Sequence, residues 1–259
     1  MSSRTPSEKP FFIGYIDNPP KGIQTFILPV FALFIVGAVF FSLLLSGSQT
    51  DPGPAGFKRG VGQLRTSGIV ELHPYPVLRI PAGKNGEPAR TLMMSGPGKR
   101  GVFQWGEKLQ GKYADARGAV LARGDIEMLQ VGNRNGLKLS KKEVPANFTP
   151  APPKPLGKWR ITGEICDGKC VAGVMRPGRG IAHKACANLC VIGGIPAVFV
   201  SSGPVNGSTF FLLTDADGNP LGDELYDLMA LYIEAEGHVE QLDDLMVFKM
   251  ELDSVRILR

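Results

Sequence analysis

The chain has one long apolar run near its start, and alternating apolar and polar positions after it. The run from Phe26 to Leu45 reads FILPVFALFIVGAVFFSLLL, and no charged residue occurs between Lys21 and Asp51. Twenty residues of α-helix cross about 30 Å, which is the thickness of the hydrocarbon layer of a bilayer. The pattern therefore predicts a transmembrane helix over 22–47.

A cleaved signal peptide is the alternative to this anchor, but its apolar region usually spans only about 7–15 residues. The run here is longer and follows a polar tail over 1–21, so we favour the anchor. Basic residues flank the run equally, and the positive-inside rule leaves the orientation open. They are Arg4, Lys9 and Lys21 on one side and Lys58, Arg59 and Arg65 on the other. We expect a cytoplasmic tail, with the rest of the chain in an oxidising compartment outside.

Two segments of alternating residues follow the anchor, and they resemble each other. The first, over 61–143, opens with QLRTSGIVEL, and the second, over 158–259, opens with KWRITGEICD. Later, KYADARGAVLARGDIEMLQV in the first is paralleled by LYIEAEGHVEQLDDLMVFKM in the second. Alternation of this kind is typical of half-buried strands. We predict a mainly β fold with two small OB-like β-barrel domains, of which the second has a helical Cys/His insert.

Two stretches rich in turn-forming residues separate these parts. The Gly/Pro/Ser-rich segment 48–60 is predicted to be a linker between the membrane and the first barrel. The segment 144–157 contains five prolines and is predicted to be an extended linker between the two barrels.

Composition limits the classes of function. Hydrophobic residues make up 43% of the chain, which is enough for packed cores, and the net charge of +5 is not concentrated in one block. We therefore expect no nucleic-acid partner. No Ser-His-Asp order, paired-carboxylate signature or phosphate-binding glycine loop stands out, so we assign no catalytic residue and favour a binding protein over an enzyme.

All four cysteines and one of the three histidines lie in the segment 166–190. Its second half, IAHKACANLC, favours a helix on which His183, Cys186 and Cys190 lie on one face. Cys170 precedes them in a turn and completes a Cys₃His set. Thiolate and imidazole ligands suit zinc, copper or iron, and an iron–sulfur centre or haem is a further alternative.

Two more sulfur-containing side chains belong to this segment. Met175 offers a thioether for copper, or packs as an ordinary apolar residue. Cys166 is an extra ligand or a disulfide partner. In a disulfide alternative, Cys186 and Cys190 would each pair with Cys166 or Cys170. A third alternative is redox-active thiols, with His183 lowering a thiol pKa.

The residues GEICDGKC, HKACANLC and GGIP resemble an uncharacterised family of bacterial membrane-anchored or periplasmic proteins with an OB-like domain. The family pattern is G-E-hydrophobic-x-D-x-K-C, then H-K-x-C-A-x-x-C, then G-G-x-P, and it covers Gly163 to about Val200. This chain departs from it at Cys166, where an aliphatic residue is usual, so the resemblance implies a shared site without Cys166. The resemblance does not indicate any reaction.

Together these observations predict a single-pass protein of the bacterial inner membrane, with its C-terminal domains in the periplasm. We expect a membrane-anchored accessory or binding subunit, for example of a respiratory or redox assembly, whose partners are other membrane or periplasmic redox subunits. The alternatives are a periplasmic thiol-redox or metal-delivery protein, and a scaffold with a disulfide-stapled loop.

Overall fold

A computed structural model describes residues 21–48, 54–58, 63–83, 85–146 and 148–258. The chain divides into two compact units, Met1–Asp51 and Pro52–Arg259. Most of the predicted tail over 1–21 and much of the predicted linker over 48–60 lie outside the described residues.

The first unit contains one helix, α1, over Lys21–Ser48. Its 28 residues extend about 42 Å, and its large apolar side chains are exposed along the whole length. A helix this long and apolar is suited to be a single-pass anchor or a signal sequence. The structure therefore confirms the apolar N-terminal helix.

The second unit is mainly β and contains two closed five-stranded barrels. In the first barrel the strand order is β2-β3-β4-β6-β5, and β5 pairs back with β2 to close it. Among the described strands of this ring, β4 and β6 are parallel and the other neighbours are antiparallel. The elements are β1 (Gly56–Phe57), β2 (Leu64–Glu71), β3 (Val77–Ile80), β4 (Arg90–Ser95), α2 (Phe103–Gly106), β5 (Tyr113–Arg123), β6 (Ile126–Val131) and β7 (Leu137–Leu139). Strands β1 and β7 add to β5 outside this ring.

The second barrel repeats this arrangement. Its order is β8-β9-β10-β12-β11, β11 pairs back with β8, and β10 and β12 are the parallel neighbours. The elements are β8 (Lys154–Asp167), α3 (Lys184–Ile192), β9 (Ala197–Val205), β10 (Ser208–Asp215), α4 (Glu224–Leu228), β11 (Tyr232–Leu242), β12 (Leu245–Met250) and β13 (Arg256–Ile257). In both barrels a short helix precedes the fourth strand, so the repeat expected from the sequence is present in the topology.

The two barrels belong to one compact unit and share part of their core. One buried cluster combines Val77, Met93 and Met128 of the first barrel with the interior of the second. A buried ion pair between Arg79 Nε and Asp243 Oδ2, 2.9 Å long, also joins them. Strand β8 starts at Lys154, within the segment predicted as a linker. The predicted domain bounds themselves stay predictions.

The Cys/His insert leaves the second barrel after β8 and returns at β9. It begins with a single π-helical turn at Cys170–Val174, passes through a 3₁₀ turn at Ile181–His183, and continues directly into α3. The predicted helix is therefore present, although His183 lies in the turn that precedes it.

A loop of the first barrel, Gly96–Gly101, packs closely against the end of α3. The backbone N–H of Gly101 donates to the carbonyl of Gly193 at 2.7 Å. A Cβ on Gly193 would lie 1.8 Å from the carbonyl oxygen of Lys99, so only glycine permits this approach. The contact brings the first barrel to the Cys/His insert.

Candidate metal site

The four predicted ligands converge in the folded chain. The ligand atoms of Cys170, His183 and Cys186 all lie within 4.8 Å of one another, and so do those of Asp167, Cys170 and Cys190. The spacing of residues along the insert predicted the Cys₃His part of this cluster, but Asp167 was not predicted.

Asp167 connects the strand to the insert. It is the last residue of β8 and is fully buried. Its Oδ1 accepts a hydrogen bond from the backbone N–H of Cys170 at 2.8 Å, and its Oδ2 lies 3.1 Å from His183 Nε2. A carboxylate that holds one ring nitrogen leaves the other, Nδ1, for a metal and fixes the ring orientation. An aspartate at the end of a strand has many roles, so its position in the sequence did not distinguish it.

Cys170 and Cys190 are neighbouring thiols beside this carboxylate. The adjacent Cys190, burial and the charge of Asp167 together raise the pKa of Cys170. The adjacent Cys170 lowers the pKa of Cys190, and the charge of Lys99 lowers it further. Cys170 is therefore the thiol that keeps its proton, and Cys190 is the one that becomes a thiolate first.

Lys99 brings a positive charge to the site from the Gly96–Gly101 loop. Its Nζ donates to Cys186 Sγ at 2.7 Å and to the Cys186 carbonyl at 3.1 Å, and lies 3.8 Å from Cys190 Sγ. The hydrogen bond to Cys186 raises the pKa of Lys99. An ammonium group here stabilises anionic sulfur, whether free or bound to a metal. Lys99 was not predicted from the sequence, in which it lies 87 residues before Cys186.

A second lysine holds the loop in place. Lys169 is buried, and its Nζ donates to the carbonyls of Gly96 at 2.6 Å and Gly98 at 2.7 Å. Burial lowers the pKa of Lys169. Because both bonds reach the Gly96–Gly101 loop, Lys169 fixes the loop that presents Lys99.

The side chains of the cluster differ in exposure. Cys170, His183 and Cys190 are buried, whereas Cys186 is half-buried. Met175 is 43% exposed, and its Sδ lies 3.3 Å from Cys186 Sγ. The two sulfur atoms therefore mark the solvent-facing side of the site.

Cys166 lies apart from this cluster. It is fully buried within β8 opposite Val198, and burial raises its pKa well above the usual range. The disulfide alternative for Cys166, Cys170, Cys186 and Cys190 is wrong in this structure. All four cysteines are described and free, and the sulfur atoms of neighbouring cysteines are 4.1–4.4 Å apart. A disulfide requires about 2.05 Å between its sulfur atoms.

The spacing of the donor atoms fits a single metal ion. Two sulfur ligands on a tetrahedral ion, each with a metal–sulfur bond of about 2.3 Å, lie about 3.8 Å apart. The cysteine pairs at 4.1–4.4 Å need to approach by only a few tenths of an ångström. An iron–sulfur cluster places sulfides and several irons between its cysteines and needs a wider arrangement.

The donor types narrow the choice of ion. Three thiol groups and one imidazole are soft or borderline ligands, so zinc, copper and iron fit and magnesium and calcium do not. The positive charge of Lys99 reduces the electrostatic repulsion between thiolates that are held close together. The arrangement can hold such an ion among mostly buried side chains.

Comparison with known protein families, with curated proteins and with solved structures finds no match to this chain.

Proposed function

We propose that the chain is a membrane-anchored binding protein that holds one transition-metal ion in its Cys/His insert. The observation that carries the proposal is that Cys170, His183, Cys186 and Cys190 lie in two overlapping groups of donors that share Cys170, with the carboxylate of Asp167 beside His183. Three of these side chains come from one short helical stretch and the fourth from the preceding turn, so the fold has brought together donors that a metal ion needs.

We also propose that α1 anchors the chain in a bacterial inner membrane and that both barrels lie in the periplasm. Support for the anchor comes from the length, apolar composition and exposure of α1. In that compartment, a bound metal would protect the thiols from oxidation, since coordination occupies the reactive sulfur atoms. The chain would then serve as an accessory subunit of a membrane redox assembly rather than as an enzyme.

An OB-like assignment for the barrels is part of this proposal. In each barrel the strands are ordered first-second-third-fifth-fourth, and the fourth pairs with the first. A short helix lies between the third and fourth strands in both copies. This Greek-key arrangement supports an OB-like origin for both.

Thiol-redox exchange is the second candidate function. The observation that favours it is the contact of 2.7 Å between Lys99 Nζ and Cys186 Sγ at the open side of the site. A cation at this distance stabilises a thiolate, which is the reactive form of cysteine.

Metal content of the purified full chain tests the main proposal. The chain is extracted in detergent under reducing conditions, incubated with Zn²⁺ or Cu⁺, desalted and measured by mass spectrometry. We expect one ion per chain, and loss of that ion in Cys170→Ser. The matched control is Cys166→Ser, which changes a cysteine four residues away that is outside the cluster and should keep the ion.

A wild-type chain that retains neither ion contradicts the metal proposal. If, in addition, Cys186 reacts with a mixed disulfide faster in the wild type than in Lys99→Met, the thiol-redox function replaces it. Equal metal content in the wild type and Cys170→Ser would show that the ion binds elsewhere.

A further inference from the structure

Met175 lies at the open side of the site. It follows the π-helical turn and is 43% exposed, so part of its side chain faces solvent. Its Sδ accepts a hydrogen bond from Cys186 Sγ at 3.3 Å. An exposed thioether directed at a predicted metal ligand is an additional soft donor.

The distance places Met175 within reach of the same ion. Two sulfur atoms on one tetrahedral ion lie about 3.8 Å apart, and Met175 Sδ is already closer than this to Cys186 Sγ. Cys186 is also the least buried of the cysteines in the cluster. An ion bound to Cys186 on its solvent side would therefore lie close to the thioether.

The chemistry of the thioether selects among the metals that suit the site. A thioether is neutral and soft, and together with thiolate it favours Cu⁺. Zn²⁺ gains little from it, since its usual ligands are thiolate, imidazole and carboxylate.

The charge of Lys99 at the open side weakens the preference of the thiolates for a divalent ion. The ammonium of Lys99 lies 2.7 Å from Cys186 Sγ, on the sulfur atom that Met175 also contacts. A divalent ion there meets twice the electrostatic repulsion from Lys99 that a monovalent ion meets.

We propose that the resident ion is Cu⁺ and that Met175 is its ligand on the open side, where the ion enters and leaves. This inference rests on the proposed metal-binding function and goes further by naming the ion and a residue that determines specificity. Cys170, His183 and Cys190 lie on the buried side of the site, and Cys186 and Met175 lie on the exchange side. A tetrahedral ion binds four of these five donors at a time, so Met175 exchanges with one of the others as the ion enters or leaves.

The test compares Met175→Leu with the wild type in the full detergent-solubilised chain. Leucine keeps the size and apolar character of methionine and removes only the sulfur. The matched control is Val174→Leu, which alters the neighbouring exposed side chain without changing a sulfur atom. Affinities for Cu⁺ and for Zn²⁺ are measured separately, without oxygen, by competition with a chromophoric chelator for each ion.

We expect Met175→Leu to weaken Cu⁺ binding by about tenfold, as removal of one supporting interaction commonly does, and to leave Zn²⁺ binding unchanged. Val174→Leu should change neither affinity. The rate of Cu⁺ release to the chelator should also differ from the wild type in Met175→Leu but not in Val174→Leu, because only Met175→Leu removes a donor from the exchange side.

Equal Cu⁺ affinity in Met175→Leu and the wild type overturns the inference, and so does an equal loss for both ions. A wild-type chain that binds Zn²⁺ but not Cu⁺ also overturns it, while the proposed metal-binding function stands. A chain that binds neither ion overturns the proposed function and this inference together.

Discussion

Replacement of Asp167 by asparagine is the sharpest test of how the site is organised. Asparagine has the same shape, and its Oδ1 still accepts from the backbone N–H of Cys170. Its NH₂ group, however, then faces His183 Nε2, where the carboxylate oxygen Oδ2 now lies at 3.1 Å. An NH₂ donor requires Nε2 to be an acceptor, which moves the imidazole proton to Nδ1. The ring nitrogen left for the metal is then blocked.

The expected loss follows from this change of tautomer. Carboxylates that orient a histidine ligand contribute about 10- to 100-fold to metal affinity, which is about 1.4 to 2.8 kcal/mol. Both groups are buried, with side-chain exposures of 2% for His183 and 0% for Asp167, so water cannot take over the role of the carboxylate. We expect Asp167→Asn to lower the affinities for both Zn²⁺ and Cu⁺ by a factor within this range.

The assay is the chelator competition described above, with circular dichroism to verify that each variant is folded. Glu164→Gln is the matched control, because Glu164 is on the same strand and accepts from the backbone N–H of Gly180 without contacting any ligand atom of the cluster. It should bind metal like the wild type.

A double-mutant cycle decides whether Asp167 acts through His183. In a His183→Ala background, Asp167→Asn should have little further effect, since the residue that it orients is gone. A folded Asp167→Asn variant with wild-type affinity would refute the reasoning, and so would an undiminished effect in the His183→Ala background.

Three further predictions concern stability, packing and topology. Bound metal should raise the unfolding temperature, with about 2.7 kcal/mol of stabilisation at a free metal concentration of 100 times Kd, and a chelator followed in the same melting assay should reverse the shift; no shift in the wild type would contradict this. Gly193→Ala should destabilise the chain by about 1–3 kcal/mol in urea unfolding, because its Cβ would lie 1.8 Å from the Lys99 carbonyl oxygen, whereas Gly203→Ala, with nothing within 4 Å of its Cβ, should be milder. A reporter enzyme fused after Arg259 should be active only as a periplasmic enzyme, and activity of a cytoplasmic reporter there would reverse the proposed orientation.

Much of the architecture could be predicted because it depends on local patterns. The charge-free run from Phe26 to Leu45 is sufficient for a long apolar helix. Alternating positions in segments such as Tyr113–Arg123 and Tyr232–Leu242 are sufficient for strands, and their similarity pointed to a repeated barrel. The spacing of His183, Cys186 and Cys190 places them on one face of a helical stretch. Each of these inferences needed only residues close together in the chain.

The parts of the site that were missed depend on long-range contacts. A single lysine such as Lys99 in a glycine-rich loop has no periodicity, and its contact with Cys186 exists only because the two barrels pack together. Asp167 looked like an ordinary strand-terminal residue, and its role is visible only when His183 folds back over it. The π-helical turn at Cys170–Val174 has no distinctive sequence pattern, and it was expected to be a simple turn.

The contact of Lys99 with the Cys/His insert makes metal binding and barrel packing a thermodynamically linked pair. The thiolate donors belong to the second barrel, while the compensating charge belongs to the first. If packing of the first barrel increases metal affinity by some free energy, bound metal stabilises the association of the barrels by the same free energy, because linkage between two equilibria is reciprocal. Weakening the Arg79–Asp243 ion pair, which also joins the two barrels, should therefore lower metal affinity, although neither residue belongs to the cluster of donors. The occupancy of the site would then report whether the two barrels are joined.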